Sequence, residues 1–374
     1  MSAPEITAIT MPKWGLTMTE GKVVGWLKQQ GQSFAEGEEL LEIETTKITN
    51  VVEAPAGGVL RRIVASAGTT LPVGALLAVV APSEVPDSEI DGFVAGFAIP
   101  EPATEAGADA EAPSSREVEA AGLRLRYLEL GEGPGVPVLL LHGFGADLNT
   151  WMFTQPALAE GRRVIALDLS GHGGSAKEVG AGDAESLTGV VGAALDALGI
   201  ERVHLVGHSM GGAVAALLAV RRRERVASLT LIASAGLGAE INAAFIDGFV
   251  RASRRREATE VLNLLVHDPA LVSRTMVEDV LRYKRLDGVT AALMRIAGVC
   301  FAGGRQSLDI AAEIAELPLP VQIIWGRDDR IIPVAHAEAL AVRLPVHIIE
   351  QAGHLPHMEQ AGEVNRLIKR FIET

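Results

Sequence analysis

Ser209 stands in Gly207-His208-Ser209-Met210-Gly211, a G-x-S-x-G pattern. The apolar run Arg202-Val203-His204-Leu205-Val206 precedes it and reads as a buried strand, and Ala213 to Val220 reads as a helix. A strand, a tight glycine-flanked turn and a helix would hold one hydroxyl exposed at a helix N-terminus. A serine hydroxyl is a weak nucleophile, so this chemistry needs a base. Nine histidines compete for that role. His354 is favoured because it follows the apparent strand Val346 to Glu350, with Gly353 before it allowing close approach. His357 lies nearer the terminal helix, and His142, His172 and His208 are assigned structural or pocket roles. An acid must then orient the histidine. The apolar strand Val321 to Trp325 leads into Gly326-Arg327-Asp328-Asp329, and either aspartate suits.

A second chemistry is centred on Lys47. The first 82 residues contain a repeat at an offset of 37: Gly21, Gly31 and Gly37 match Gly58, Gly68 and Gly74. Val23, Trp26 and Leu40 likewise match Leu60, Ile63 and Leu77. Two similar β halves should pack face to face as a flattened sandwich. Ile43-Glu44-Thr45-Thr46-Lys47-Ile48-Thr49 joins them, so Lys47 is expected at an exposed hairpin tip.

Composition sets the frame for both sites. With 48% hydrophobic and 21% charged residues, the 374-residue chain can bury two or three domain cores, which excludes wholesale disorder. Aromatics are only 4%, so those cores must be mostly aliphatic. A net charge of −14 speaks against binding nucleic acid through the overall field. The single cysteine, Cys300, excludes an internal disulfide and a zinc–cysteine site, so no metal is expected and a reducing, cytoplasmic setting fits. The start MSAPEITAIT lacks the basic and apolar regions of a secretion signal, and no apolar stretch reaches a spanning length of about 18 residues, so no membrane role is expected. Residues 83–116 are expected to be a flexible linker rich in Pro, Ala and Glu, within which Ile90 to Ile99 is more apolar and suggests a short helix or docking patch. From 117 to 374 strand and helix patterns alternate, interrupted at about 235–310 by helical patterns read as a cap. The runs Arg221-Arg222-Arg223 and Arg254-Arg255-Arg256 read as solvated helix faces, or as attraction for the phosphates of a nucleotide-bearing substrate.

Two resemblances follow from these motifs. MPKWGLTMTEGKVVGWLKQQGQ followed by EGEELLEIETTK resembles the lipoyl domains of 2-oxo acid dehydrogenase complexes, over about residues 4–81. This implies lipoate in amide linkage on Lys47, with Glu44 part of the surface read by the lipoate-attaching enzyme. Thr46 departs from the family's usual Asp. Biotin domains carry Met on both sides of the lysine, whereas Thr46 and Ile48 flank it here. Residues 117–374 resemble the α/β-hydrolase family, through His142-Gly143-Phe144-Gly145, the D-x-x-G-H-G-x-S loop Asp168 to Ser175, and the chain order Ser, Asp, His. That resemblance implies Asp329 as the acid, giving a triad of Ser209, Asp329 and His354, with an oxyanion hole from the backbone N–H groups of Phe144 and Met210.

The pairing of these modules resembles the acyltransferase components of acetoin dehydrogenase complexes. It implies that a thiamine-diphosphate enzyme cleaves acetoin and loads acetyl on the Lys47 arm, that this chain passes it to coenzyme A, and that a flavin-dependent dihydrolipoamide dehydrogenase reoxidises the arm. No H-x-x-x-D-G motif and no basic subunit-binding domain are found, so the large cubic or dodecahedral core of 2-oxo acid complexes is not implied. Two alternatives remain open: a lipoyl-tethered thioesterase or carbon–carbon bond hydrolase using water, and a lipoyl carrier or scaffold with an idle hydrolase domain.

Overall fold

The protein is described by a computed structural model. The described residues are 6–12, 18, 20–35, 37–45, 49–54, 57–97 and 114–373. They form two compact units, a β unit and an α/β unit.

The β unit contains strands β1 (Thr7–Thr10), β2 (Glu20–Trp26), β3 (Ser33–Phe34), β4 (Glu39–Glu44), β5 (Thr49–Glu53), β6 (Gly58–Ile63), β7 (Thr70–Pro72) and β8 (Leu76–Val80). They make two four-stranded sheets, ordered β1-β8-β6-β3 and β5-β4-β2-β7. Exchanging β1 with β5, β2 with β6, β3 with β7 and β4 with β8 converts one sheet into the other. The sequence repeat is therefore a repeat of the backbone, and its glycines show why. Gly31 and Gly68 have φ of 88° and 87°, and Gly37 and Gly74 have 79° and 83°. These left-handed turns suit a residue without Cβ. The turns lock across the two halves: Gly31 N–H donates to Leu60 O and Gly68 N–H to Val23 O, both at 2.7 Å. A Cβ on Gly21 would meet Ile43 Cγ2 at 2.8 Å, and one on its counterpart Gly58 would meet Val80 Cγ1 at 2.4 Å. Leu40, Leu41, Ile43, Leu60 and Leu77 are fully buried between the sheets.

The linker expectation fails over its first part. Asp87–Gly96 is a helix. Ile90 is fully buried with Leu76, Val79 and Val85, and Phe93, Val94 and Phe97 pack against that cluster. Asp87 and Asp91 pair with Arg61 and Arg62 at 2.8 and 2.6 Å. Asp87 and Glu89 also sit in the first turn, where the helix dipole favours negative charge. The apolar run from Ile90, which suggests a short helix, forms an i, i+3, i+4 stripe at Ile90, Phe93 and Val94. The helix belongs to the β unit, with Ile90 buried and Phe93, Val94 and Phe97 partly buried against the sheet. Residues 98–113 lie outside the described residues.

The α/β unit contains β9 (Arg116–Ala120), β10 (Leu123–Leu130), β11 (Val138–Leu141), β12 (Val164–Leu167), β13 (Val203–His208), β14 (Val226–Ile232), β15 (Val321–Gly326) and β16 (Val346–Ile349). They form one sheet ordered β16-β15-β14-β13-β11-β12-β10-β9, parallel from β16 to β12, with β10 and β9 antiparallel at one edge. The strand order reverses at β11, which has β12 on one side and β13 on the other. Crevices at the C-terminal ends of strands beside such a switch are favoured binding sites. The helix Met210–Arg221 follows β13 and is buried from Met210 to Ala219. Between β14 and β15 the chain makes four longer helices, Ala243–Arg251, Arg255–Leu262, Arg274–Lys284 and Val289–Cys300. No single helix among the described residues is long and apolar enough to cross a membrane.

Candidate active site

Leu141 at the end of β11 is in register with Gly207 of β13, so the loops leaving both strands emerge side by side. Ser209 is the turn between β13 and its helix, with φ 53° and ψ −119°. A non-glycine residue there carries strain of order 1–3 kcal/mol, which persists only where the surroundings enforce it. The surroundings are backbone. Ser209 N–H donates to Ile232 O at 3.0 Å, while Ser209 O accepts from Ala213 N–H and Ala235 N–H. Both flanking glycines are forced by close approach. A Cβ on Gly207 would lie 2.5 Å from Gly211 O, and one on Gly211 would lie 2.3 Å from Leu141 O. Gly211→Ala should therefore destabilise the α/β unit by about 1–3 kcal/mol, as overpacking against an immovable partner does. A denaturant melt unchanged from the parent would contradict this.

The base and acid meet as a buried pair. His354 Nδ1–H donates to Asp329 Oδ2 at 2.8 Å, with side-chain exposures of 2% and 0%. Asp329 Oδ1 accepts Ile331 N–H and Ile332 N–H at 2.8 and 3.0 Å, so the carboxylate is held at both oxygens. This places the ring proton on Nδ1 and leaves the Nε2 lone pair free to accept. Asp328 instead lies at the surface, bonded to the His267 ring at 2.8 Å. Among the described residues the Ser209 hydroxyl makes no hydrogen bond.

Gly143 lies against the serine: a Cβ there would be 3.1 Å from Ser209 Cβ. The next residue is Phe144, and Met210 follows Ser209. Neither the Phe144 N–H nor the Met210 N–H donates to an acceptor among the described residues. The Phe144 ring is wedged edge-on between Phe249 and Phe301 of the inserted segment, with centroids 5.9 Å from each. Asp168 anchors the adjoining loop, accepting from Leu148 N–H and Gly174 N–H at 2.7 Å each and from Arg126 Nε at 2.5 Å. Nothing in the spacing of the sequence pairs Arg126 with Asp168, because Arg126 is on β10 and Asp168 follows the end of the neighbouring antiparallel strand β12.

Two further histidines lie close to the base. His208 Nε2–H donates to His354 O at 2.8 Å, and its ring lies 4.8 Å from that of His354 and 4.6 Å from that of His357. Burial pushes His208 well below the ordinary imidazole range and pushes His172 and His357 down to about 3. For His172 and His357 the unfolded chain takes up protons below about pH 6.5 while the folded chain does so only near 3, so their stabilisation is complete above 6.5 and is lost as pH falls toward 3. Each contributes a slope of about 1.4 kcal/mol per pH unit. Urea melts should weaken from pH 6.5 downward, above the carboxylate range. His357→Gln should reduce that slope, and an identical slope in the variant would contradict the assignment.

The basic runs are largely neutralised. Arg221 pairs with Glu185 at 3.3 Å, Arg222 with Asp196 at 3.6 Å, Arg255 with Glu278 at 2.7 Å and Arg256 with Glu260 at 2.8 Å. Lys47 and Thr46 lie outside the described residues. The strands beside them are described: Glu44 of β4 is paired with Thr49 of β5 in an antiparallel ladder. Glu44 is half-exposed and pairs with Lys22 at 3.4 Å.

With this geometry in hand, the chain can be set against known proteins. The α/β-hydrolase fold profile matches residues 136–361, and a profile described as biotin-requiring enzyme matches 7–80. The dihydrolipoyllysine-residue acetyltransferase component of the acetoin cleaving system of Pseudomonas putida is 49% identical, over 98% of this chain and 99% of that one. Its counterpart from Cupriavidus necator is 45% identical, over 99% and 98%. The chain belongs to this acetyltransferase family. Among solved structures, a meta-cleavage product hydrolase of Pseudomonas fluorescens is 27% identical with a TM-score of 0.63, covering 69% of this chain and 97% of that one. The acetyltransferase family thus combines a β unit of the lipoyl type with an α/β-hydrolase fold.

Proposed function

We propose that the protein is the acetyltransferase component of an acetoin cleaving system, moving acetyl from a lipoyl arm on Lys47 to coenzyme A through an acyl-serine at Ser209. When bound, the lipoyl group supplies a thioester-linked acetyl and a thiol leaving group. His354 Nε2 takes the hydroxyl proton as Ser209 Oγ attacks the thioester carbonyl. Catalytic hydrogen bonds of this kind often tighten only when substrate arrives. Asp329 holds the ring in the tautomer that leaves Nε2 basic, and stabilises the imidazolium. The Phe144 and Met210 N–H groups receive the charge on the carbonyl oxygen; such donors are worth about 3–4 kcal/mol each. His354 returns the proton to the departing thiol. In the second half the coenzyme A thiol attacks the acetyl-serine and loses its proton to His354; as the bond between the acetyl carbon and Ser209 Oγ breaks, His354 returns that proton to Oγ and the free serine is restored.

The partners in this reading are a thiamine-diphosphate enzyme that cleaves acetoin, a flavin-dependent dihydrolipoamide dehydrogenase and a lipoate-attaching enzyme. The reading is supported by the buried His354–Asp329 pair and the strained turn at Ser209, in a chain whose relatives match both modules end to end. The fold likeness to a hydrolase makes water the competing acceptor. The test supplies acetyl-dihydrolipoamide and coenzyme A to the pure protein and separates acetyl-coenzyme A from acetate. Acetyl-coenzyme A as the dominant product supports transfer. Acetate as the dominant product, at the same rate without coenzyme A, would replace it with hydrolysis.

A further inference from the structure

The loop bearing His354 is gripped by a stretch of the inserted segment far away in sequence. His354 N–H donates to Leu265 O at 2.7 Å. Gly353 is pressed against the same stretch, since a Cβ there would lie 2.8 Å from Leu265 O and 2.9 Å from His267 N. Glu359 sits behind this contact, and one of its carboxylate oxygens faces each side. Oε1 accepts Gly353 N–H at 2.8 Å and Oε2 accepts His267 N–H at 2.6 Å. The far side is fastened as well: the His267 ring bonds to Asp328 at 2.8 Å, and Arg330 Nη2 donates to Val266 O and Asn263 O at 2.5 and 3.0 Å. Asp328 and Arg330 flank Asp329, so the segment 263–267 touches both the base loop and the acid loop.

We propose that Glu359 is a positioning residue for the acyl-transfer reaction, clamping the His354 loop to the inserted segment so that the base is aligned only while that segment is seated. The proposal rests on the triad reading above. A carboxylate is suited to the task because it offers only acceptors, and both groups facing it are donors. Glutamine cannot replace it: its NH2 would face one of the two N–H groups, so one side of the clamp opens while shape is kept. Misplacing a catalytic group by about 1 Å can cost on the order of 100-fold in rate.

The experiment compares the full-length parent with Glu359→Gln, Asp328→Ala and Ser209→Ala. Reactive serine is counted by labelling to completion with a fluorophosphonate, and turnover with acetyl-dihydrolipoamide and coenzyme A is expressed per labelled site. The expected result for Glu359→Gln is a kcat per labelled site lower by about 10- to 100-fold, KM values within about threefold of the parent, and slower labelling. Asp328→Ala, at the surface, should fold and shift kcat in the same direction by about threefold. Normal kcat per labelled site in both variants, with only fewer sites or a lower Tm, would overturn the proposal and leave Glu359 a purely structural residue. Unchanged labelling and turnover in Ser209→Ala would instead overturn the triad reading, so the two failures are distinguishable.

Discussion

Replacing Ser209 with Ala should lower acetyl-coenzyme A formation by about 10³-fold or more, and Asp329→Asn should lower it by about 10⁴-fold. The second loss is the more diagnostic, because it changes a proton rather than a shape. Asp329 Oδ1 is held by the Ile331 and Ile332 N–H groups, so an asparagine would place its carbonyl oxygen there. Its NH2 would then face His354 Nδ1, which currently donates to Oδ2 at 2.8 Å. The imidazole must respond by moving its proton to Nε2, where no lone pair remains to accept the serine proton. Fold and Tm should change little, since the packing is nearly isosteric. The losses should not multiply in Ser209→Ala/Asp329→Asn, because the residues act as one unit. Acetyl-coenzyme A formed at more than a tenth of the parental rate by Ser209→Ala would show that the thiol attacks the donor directly and that no acyl-serine is needed.

The parts of this site that could be read from sequence were those with a backbone cause. The glycines around Ser209 announce a turn because nothing larger fits beside Leu141 O and Gly211 O. The repeat at an offset of 37 announced a two-sheet sandwich because paired positions such as Gly31 and Gly68 need the same left-handed turn. The choice between Asp328 and Asp329 was not available from spacing alone. Adjacent residues on a loop point opposite ways, here one to a buried imidazole and one to a surface histidine. Glu359 and the Arg126–Asp168 pair were invisible for a related reason: their partners are 92 and 42 residues away. The helix Asp87–Gly96 is only partly legible: the apolar residues from Ile90 suggest a short helix, but its start at Asp87 and its packing on a sheet face are hidden in an acidic, proline-containing stretch.

Lys47→Arg should abolish turnover of the reconstituted acetoin-cleaving assembly, by about 10³-fold or more, while acetyl transfer from free acetyl-dihydrolipoamide stays within threefold of the parent. Arginine keeps the charge but cannot be acylated by the attaching enzyme. The size of the effect comes from tethering. A group carried on the same chain meets Ser209 at a millimolar effective concentration, whereas an untethered donor at micromolar levels loses about that ratio in encounter frequency. Both modules are then intact but uncoupled, which separates the arm's contribution from that of the triad. Adding free lipoamide at millimolar concentration should restore part of the turnover, in proportion to its concentration. Full turnover in Lys47→Arg without added lipoamide would mean that acetyl reaches Ser209 by another carrier, and that the β unit serves to bind partners rather than to carry the arm.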